Sequence, residues 1–173
     1  MSYERPIMSA PEIFEPTPEN ARAFRQALGR FATGVTVVTT ATDNGTMGFT
    51  ANSFSSVSLD PPLVLWCPAR SSSRFEEFTN GRPFAIHILA GEQQALADAF
   101  VQEPDAFDGL NWHAGEDGTP FLDDAIARFY CTAHAYHEGG DHVIAVGRVR
   151  EVAVRAGAPL LFASGSYGCF TLA

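Results

Sequence analysis

Short β-prone runs separated by turn residues recur along this chain, and their close spacing is the feature that most restricts its fold. Residues 35–40 are all β-branched, and the turn residues Asp43, Asn44 and Gly45 then return the chain as a hairpin. Further strand candidates follow at residues 63–67, 83–89, 127–136, 142–154, 160–163 and 167–172. This pattern predicts a mainly β fold, an antiparallel β-barrel, closed or partly closed, with a few helices.

Helices are predicted at only two or three places. The first begins at Thr17 and Pro18 and ends at Gly34, because a capping residue, a proline and a terminating glycine are typical of helix ends. Its apolar face comprises Phe24, Ala27, Leu28 and Phe31. Ser73 and Glu76 have the spacing of a capping box and predict a second helix start.

Length and composition favour one domain. The chain has 173 residues, and we expect an N-terminal tail at residues 1–20 followed by a single domain at residues 21–173. A short helix is predicted at residues 92–100. Residues 101–120 carry little periodicity, so we expect an irregular surface excursion there.

The charge balance limits the partners. Asp and Glu number 20 against 11 Lys and Arg, which gives a net charge of −9 and argues against nucleic acid or an anionic membrane as a partner. The 3 cysteines are scattered without a Cys-x-x-Cys pair, as in a reducing compartment. No signal peptide is visible, and the longest apolar run falls far short of the ~20 residues of a membrane helix. These features predict a cytoplasmic protein.

Two polar segments could bind a ligand. Hydroxyl and amide side chains between residues 48 and 58 suit a polar ring, although an ordinary polar loop, or a strand with one solvated face, would look the same. After Trp66, a strand leads into a serine-rich helix start that carries Arg74, which is typical of an anion site. Simple capping by Ser73 with a solvated Arg74 is the alternative there.

Several kinds of site are excluded. His134 and His137 lie three apart on a predicted strand and point to opposite faces, so we predict no metal site. The nucleophile elbow of hydrolases and the glycine-rich fingerprints of Rossmann and P-loop proteins are all missing from the sequence. His142 follows two glycines and Asp141, and its alternative reading is a strand-end residue that Asp141 caps.

Five ordered motifs have the spacing of one known family. They are the segments at residues 34–40, 48–54, 59–64, 139–142 and 159–162. Over nearly all of residues 21–170 the chain resembles the flavin reductase-like family, the reductase components of two-component flavin-dependent monooxygenases. The resemblance implies an FMN-binding split barrel, antiparallel with Greek-key connections, which forms a homodimer with flavin in a groove near the subunit interface.

The resemblance also implies site residues. The expected flavin contacts are Met47, Gly48, Phe49, Thr50, Ala51, Asn52, Ser53, Cys67, Pro68, Ala69, Ser72, Ser73, Arg74 and Phe100. The expected contacts of the nicotinamide nucleotide are Asp141, His142, Phe162, Ala163, Ser164 and Gly165, with His142 orienting the nucleotide for catalysis. This chain departs from the family at residues 163–166, where relatives often carry an aromatic residue and an arginine.

The implied reaction is hydride transfer from NADH or NADPH to FMN, with FAD as the alternative flavin, and reduced flavin then serves a separate monooxygenase. The flavin ring itself accepts the hydride in such a step, so the protein has to orient the two reactants and needs no strong acid or base. Two alternatives remain open at this point. One is a flavin-binding module or carrier of the same fold without reductase activity, and the other is a flavin-dependent oxidase on a related barrel.

Overall fold

The computed structural model describes residues 10–170, which contain twelve strands and three α-helices. The helices are α1 (Ala21–Leu28), α2 (Phe75–Thr79) and α3 (Gln94–Gln102), and a 3-10 helix at Pro18–Asn20 precedes them. The strands are β1 (Thr33–Gly34), β2 (Thr36–Thr42), β3 (Gly45–Ala51), β4 (Ser55–Leu59), β5 (Pro62–Trp66), β6 (Phe84–Ile88), β7 (Trp112–Ala114), β8 (Pro120–Leu122), β9 (Ala127–Gly139), β10 (His142–Val154), β11 (Leu160–Ala163) and β12 (Ser166–Cys169).

Seven of these strands form one antiparallel sheet in the order β3-β2-β6-β9-β10-β5-β4. Laid flat, such a sheet would hold its two edge strands about 29 Å apart. Residues 52–54 join the edge strands β3 and β4 directly. The chain from Ala51 to Ser55, four residues further on, can span at most about 14 Å. The sheet therefore curls into a barrel, which is split between β3 and β4. The predicted mainly β, antiparallel barrel is confirmed.

Two apolar clusters lie on opposite faces of this sheet. The first includes Val38, Trp66 and Phe84, and the second includes Val37 and Phe100. Val37 and Val38 are neighbours on β2, so the alternation of side chains along a strand sends one into each cluster. Both faces of β2 are consequently buried, which explains its continuous β-branched sequence.

A smaller sheet, ordered β1-β11-β12, is attached at the second cluster. The Val35 N–H donates to Leu160 O at 3.0 Å, and the Leu89 N–H donates to Val35 O at 3.0 Å, so main-chain bonds tie β6 to the small sheet. This attachment brings Phe162 and Tyr167 beside the end of β3.

The structure differs from the predictions at the first helix and at residues 101–120. The first helix ends at Leu28, and Gly34, predicted as its end, lies in β1 instead. Residues 101–120 are more than a surface excursion, because Phe107 is buried in the second cluster and the hairpin of β7 and β8 begins at Trp112. The buried His87 holds this hairpin by accepting the Leu122 N–H at Nε2, at 3.1 Å.

The helix α1 is unusual because it has no buried residue. Phe24, Leu28 and Phe31, three members of the predicted apolar face, are 43%, 59% and 79% exposed. The predicted N-terminal tail falls partly on residues 1–9, which lie outside the described residues, and residues 10–17 form neither helix nor strand. No helix within residues 10–170 is long and apolar enough to cross a membrane.

Candidate functional site

The outer edge of β3 offers main-chain groups to a ligand. The Gly48 N–H donates to Pro104 O at 2.7 Å, and Gly48 O accepts from Arg74, so the main-chain groups of Gly48 point away from β2. In an antiparallel ladder this orientation repeats every second residue, and Thr50 therefore presents its N–H and C=O in the same direction. Beyond Gly48, the outward N–H and C=O of Thr50 and the side chain of Asn52, which follows the strand, can form hydrogen bonds with a polar ring.

The side chains of β3 are used mostly for packing. Met47, Phe49 and Ala51 pack into the barrel, and Phe49 meets Trp66 edge-on at 5.5 Å between ring centroids. The Thr50 hydroxyl donates to Ala97 O on α3 at 2.8 Å. On this strand the side chains of the predicted flavin contacts shape the edge, and the main-chain groups of Gly48 and Thr50 face outwards.

A groove of about 170 Å³ lies at the end of β3. Its lining comprises Val35, Thr50, Ala51, Asn52, Phe162 and Tyr167. The Asn52 amide donates to Thr33 Oγ1 at 3.2 Å, and Thr33 pairs with Phe162 in the small sheet. The structure therefore brings predicted flavin contacts together with Phe162, a predicted nucleotide contact.

Sequence reasoning missed Tyr167 as a lining residue of this groove. Its ring meets Phe162 at 5.3 Å between centroids, and its hydroxyl lies 3.1 Å from Asp98 Oδ1. Burial and this carboxylate raise the pKa of Tyr167, so the phenol stays protonated and donates to Asp98. Pairing of β11 with β12 places Tyr167 opposite Phe162, and the strand pattern in the sequence predicts both strands without their register.

The second part of the site forms where residues 67–70 meet the start of β10. Ser53 Oγ accepts the Cys67 N–H at 2.9 Å, which joins this part to the end of β3. Ala69 pairs with His142, and the Arg70 N–H donates to Asp141 O at 2.9 Å. Cys67, Pro68 and Ala69 consequently lie beside the predicted nucleotide contacts Asp141 and His142. Burial raises the pKa of the Cys67 thiol, which therefore stays protonated.

Asp141 and His142 form a side-chain pair at this position. His142 Nδ1 lies 2.8 Å from Asp141 Oδ1, and the hydrogen bond is the main cause that lowers the pKa of Asp141. The imidazole is partly exposed, with its Nε2 directed away from the carboxylate bond. Such a pair fixes the orientation of the ring, as carboxylates often do for functional histidines.

Arg74 is buried and bound to main-chain carbonyls, and as a flavin contact it remains a prediction. Its side chain is 8% exposed, and its guanidinium donates to three main-chain carbonyls, those of Gly48, Phe100 and Val101. Burial lowers the pKa of Arg74, and the nearby Asp105 partly offsets this effect. The carbonyls of Phe100 and Val101 belong to the last turn of α3, where a cation also meets the negative end of the helix dipole. Arg74 fastens α3 to β3.

The serines before Arg74 are arranged differently from the predicted capping box. The helix α2 begins at Phe75 with Arg74 as its N-cap, and no side-chain hydrogen bond caps it. Ser72 Oγ accepts the Arg74 N–H at 3.2 Å, while Ser73 is exposed. As flavin contacts, Ser72 and Ser73 remain predictions.

Phe100 is another predicted flavin contact that lies in the interior. The ring has no exposed surface and packs against β3 at Gly48, on the face where a side chain of residue 48 would lie. The buried ring of Phe100 supports β3 in this structure, and as a flavin contact Phe100 remains a prediction.

The two predicted nucleotide segments are held by different parts of the fold. No hydrogen bond or strand pairing within residues 10–170 joins Asp141 and His142 to residues 162–165. Asp141 and His142 lie at the Cys67 end of the site, whereas Ser164 and Gly165 form the turn between β11 and β12 next to α1. The described residues also contain no group of three His, Cys, Asp or Glu side chains placed to hold a metal ion.

Comparison with known proteins decides the family. The model of the flavin reductase like domain matches residues 28–170. This chain belongs to the flavin reductase-like family. The family assignment made from the motifs is confirmed, and the matched residues contain both parts of the site.

Individual members of the family resemble the chain along most of its length. The FMN reductase (NADH) SmoA of Agrobacterium fabrum is 50% identical over 159 residues, which are 92% of this chain and 91% of that protein. The reductase subunit HsaB of a flavin-dependent monooxygenase of Rhodococcus jostii is 40% identical, over 84% of this chain and 76% of its own. The solved structure of NADH:FAD oxidoreductase SgcE6 of Streptomyces globisporus matches with a TM-score of 0.86 at 36% identity, over 95% of this chain and 96% of its own.

Proposed function

We propose that this protein is an NAD(P)H-dependent flavin reductase that transfers hydride from a nicotinamide to FMN and supplies the reduced flavin to a separate monooxygenase. The observation that carries the proposal is the groove at the free edge of β3, where Thr50 and Asn52 meet Phe162. The relatives support the same function, because SmoA is named an FMN reductase and HsaB a monooxygenase reductase subunit.

The residues of the groove fit a flavin. The pyrimidine edge of an isoalloxazine carries carbonyl and N–H groups, which match the N–H and C=O of Thr50 and the amide of Asn52. The flat faces of the ring suit the aromatic side chains of Phe162 and Tyr167. A bound flavin would supply the redox chemistry by accepting hydride at N5.

The chain's own residues would bind and orient the two reactants. Asp141 holds the imidazole of His142 at 2.8 Å, and this ring would orient the incoming nicotinamide. No side chain near the groove has to act as a strong acid or base, which agrees with the protonated Cys67 thiol and Tyr167 phenol. The site therefore works by orientation, in the way that hydride transfer between two cofactors requires.

FMN and NADH are the reactants that we propose. The most similar relative described above is an FMN reductase that uses NADH, whereas SgcE6 is named an NADH:FAD oxidoreductase and has a structure in complex with NAD and FAD fragments. NADH is common to both names, and the flavin differs between them. FAD is accordingly the alternative that the first experiment must distinguish.

Two observations support a homodimer. The groove of about 170 Å³ is smaller than the roughly 300–1,000 Å³ of a typical ligand pocket, so one chain encloses only part of a flavin. In addition, Phe24, Leu28 and Phe31 leave an apolar face of α1 exposed. A second copy would enclose the ligand and cover apolar surface. We place the dimer in the cytoplasm, where NADH is produced, and its charge of −9 disfavours nucleic acid as a partner.

One experiment tests the function. The flavin retained on purification is identified by chromatography, and the protein is then mixed with NADH or NADPH without oxygen while flavin absorbance is followed. A reductase bleaches the flavin, with no organic substrate present and at a rate that depends on the nucleotide. Bound flavin that stays oxidised with both nucleotides would contradict the proposal and favour a carrier, and bleaching only by an organic substrate would favour an oxidase.

A further inference from the structure

A cavity of about 480 Å³ lies between α1 and the turn that joins β11 to β12. Its lining comprises Arg22, Arg25, Gln26, Gly29, Arg30, Ser164 and Gly165. We call it the arginine cavity, because three of the 11 basic residues of a chain with a net charge of −9 line it. Nothing in the reaction described above uses this concentration of positive charge.

The three arginines form no ion pair with a carboxylate among the described residues. Elsewhere the arginines are mostly engaged, since Arg70, Arg82, Arg128 and Arg155 each form an ion pair with a carboxylate. For Arg22, Arg25 and Arg30, no carboxylate of residues 10–170 lies within 4.0 Å. A cluster of like charges is unfavourable by itself, and an anion relieves the repulsion.

The geometry of the cavity comes from a close contact between a helix end and a turn. The Ser164 N–H donates to Gly29 O at 2.7 Å, which joins the turn to the C-terminus of α1. Ser164 has a φ of +50° and Gly165 a φ of +80°, as the two central residues of a tight hairpin turn require. Arg22 and Arg25 lie one helical turn apart on the same side of α1.

The arginine cavity is close to the groove along one strand. Phe162 lines the groove and Ser164 lines the arginine cavity, so two residues of extended chain, about 7 Å, separate the two sites. A ribose with its 5′ methylene group covers such a distance. A nicotinamide that stacks on a flavin in the groove would therefore bring its pyrophosphate close to the arginines.

We infer that the arginine cavity binds the pyrophosphate of the nicotinamide dinucleotide, an inference that rests on the proposed function. The flavin is the alternative occupant of the cavity; the resemblance implies that its phosphate end runs the other way, towards Cys67, whose N–H donates to Ser53 Oγ at 2.9 Å. Arginine is well suited to phosphate oxygens through its fork of N–H donors.

Binding of ADP-ribose tests the inference without hydride transfer, because ADP-ribose carries the pyrophosphate and lacks the nicotinamide. Calorimetry at low ionic strength compares the flavin-loaded wild type with Arg22→Ala/Arg25→Ala and with the matched control Arg148→Ala, an exposed arginine on β10 outside the cavity. We expect the double variant to bind ADP-ribose at least about tenfold more weakly, and the control to bind it like the wild type. Equal affinities in all three proteins would overturn the inference.

Stopped-flow reduction of the flavin provides the second arm. With NADH, the double variant should show a KM raised about tenfold and a similar rate at saturation. With N-benzyl-dihydronicotinamide, a hydride donor without phosphates, the two proteins should react alike. Normal NADH kinetics in the double variant would overturn the inference and leave the proposed function intact. Arginine-dependent binding of ADP-ribose by a protein that never transfers hydride would support the cavity and contradict the function.

The flavin must be tested as the other source of a pyrophosphate. Titration of flavin-free protein with FMN and FAD should give the same affinities in the wild type and in Arg22→Ala/Arg25→Ala. A loss of FAD affinity with unchanged binding of ADP-ribose would assign the cavity to the flavin and overturn the inference. A loss of affinity for ADP-ribose alone supports it.

Discussion

The ring of Phe100 fills the space in which a side chain on Gly48 would lie. A Cβ built on Gly48 would be 2.4 Å from two carbons of that ring, far inside van der Waals contact. Gly48 belongs to β3, whose free edge forms the groove, and Phe100 belongs to α3. The absence of a side chain at residue 48 therefore determines how closely α3 approaches the strand that presents the candidate flavin site.

The first prediction concerns this contact. Gly48→Ala should lower the free energy of unfolding by about 1–3 kcal/mol, because the ring must move. Phe100→Ala should cost about 3–5 kcal/mol by leaving a cavity, and the double variant should cost clearly less than the sum. Urea denaturation measures all three. Gly34→Ala is the control, since nothing lies within 4 Å of a Cβ there, and strictly additive losses would contradict the packing account.

The second prediction separates two roles of Arg74. Arg74→Ala should cost about 2–4 kcal/mol of stability, because the carbonyls of Gly48, Phe100 and Val101 lose their donor. Affinities for FMN and riboflavin should then fall by similar factors, since the strand edge is disturbed for both. Arg70→Ala removes an exposed ion pair with Glu138 and a cation–π contact with Phe75, and should cost about 1 kcal/mol or less. A loss confined to FMN would instead identify Arg74 as a phosphate ligand.

The third prediction concerns Tyr167. Its ring lines the groove, so Tyr167→Ala should weaken FMN binding about five- to tenfold. Tyr167→Phe keeps the ring and removes only the bond to Asp98, and should change the affinity by less than about twofold. Fluorescence titration measures both affinities. If the two variants bound FMN equally well, the flavin ring would have to lie elsewhere.

The fourth prediction concerns His142. His142→Ala should raise the KM for NADH or slow reduction of the flavin, and FMN affinity should stay within about twofold. Asp141→Asn should have a smaller effect in the same direction, because the amide holds the imidazole less firmly than the carboxylate at 2.8 Å. His134→Ala, an exposed histidine on β9, is the control. Reduction rates that match the wild type at every NADH concentration would leave His142 a structural role only.

The fifth prediction follows from His87. Burial lowers its pKa from 6.5 to about 3, and its two nitrogens bond to Val37 O and to the Leu122 N–H. The unfolded chain takes up the proton first, so the contribution of neutral His87 is complete above pH 6.5 and is lost as the pH falls towards 3. As the pH falls from 6.5 to about 3, the free energy of unfolding should therefore decrease more steeply in the wild type than in His87→Gln. The difference in slope should be about 1.4 kcal/mol per pH unit. Parallel pH profiles of urea denaturation would refute this.

Local pattern in the sequence was sufficient for most strands. Residues 63–67 and 142–154 were predicted as strands, and the structure has β5 at Pro62–Trp66 and β10 at His142–Val154. The turn residues Asp43, Asn44 and Gly45 join β2 and β3 as expected. Such elements are predictable because β-branched residues and turn residues act on their own stretch of backbone, whatever the rest of the chain does. The motifs were likewise sufficient for the family.

Only the tertiary structure decided which side chains meet at the site. Arg74 is 26 residues from both Gly48 and Phe100 in sequence, and no local signal shows that its guanidinium binds their carbonyls. The turn at Ser164 meets Gly29 across the whole domain, and this contact creates the arginine cavity. Residue type tells what a side chain can bind, whereas its partner depends on the curl of the sheet and on the packing of α3 against it. Those arrangements arise from long-range burial and main-chain pairing, which no short segment of the sequence contains.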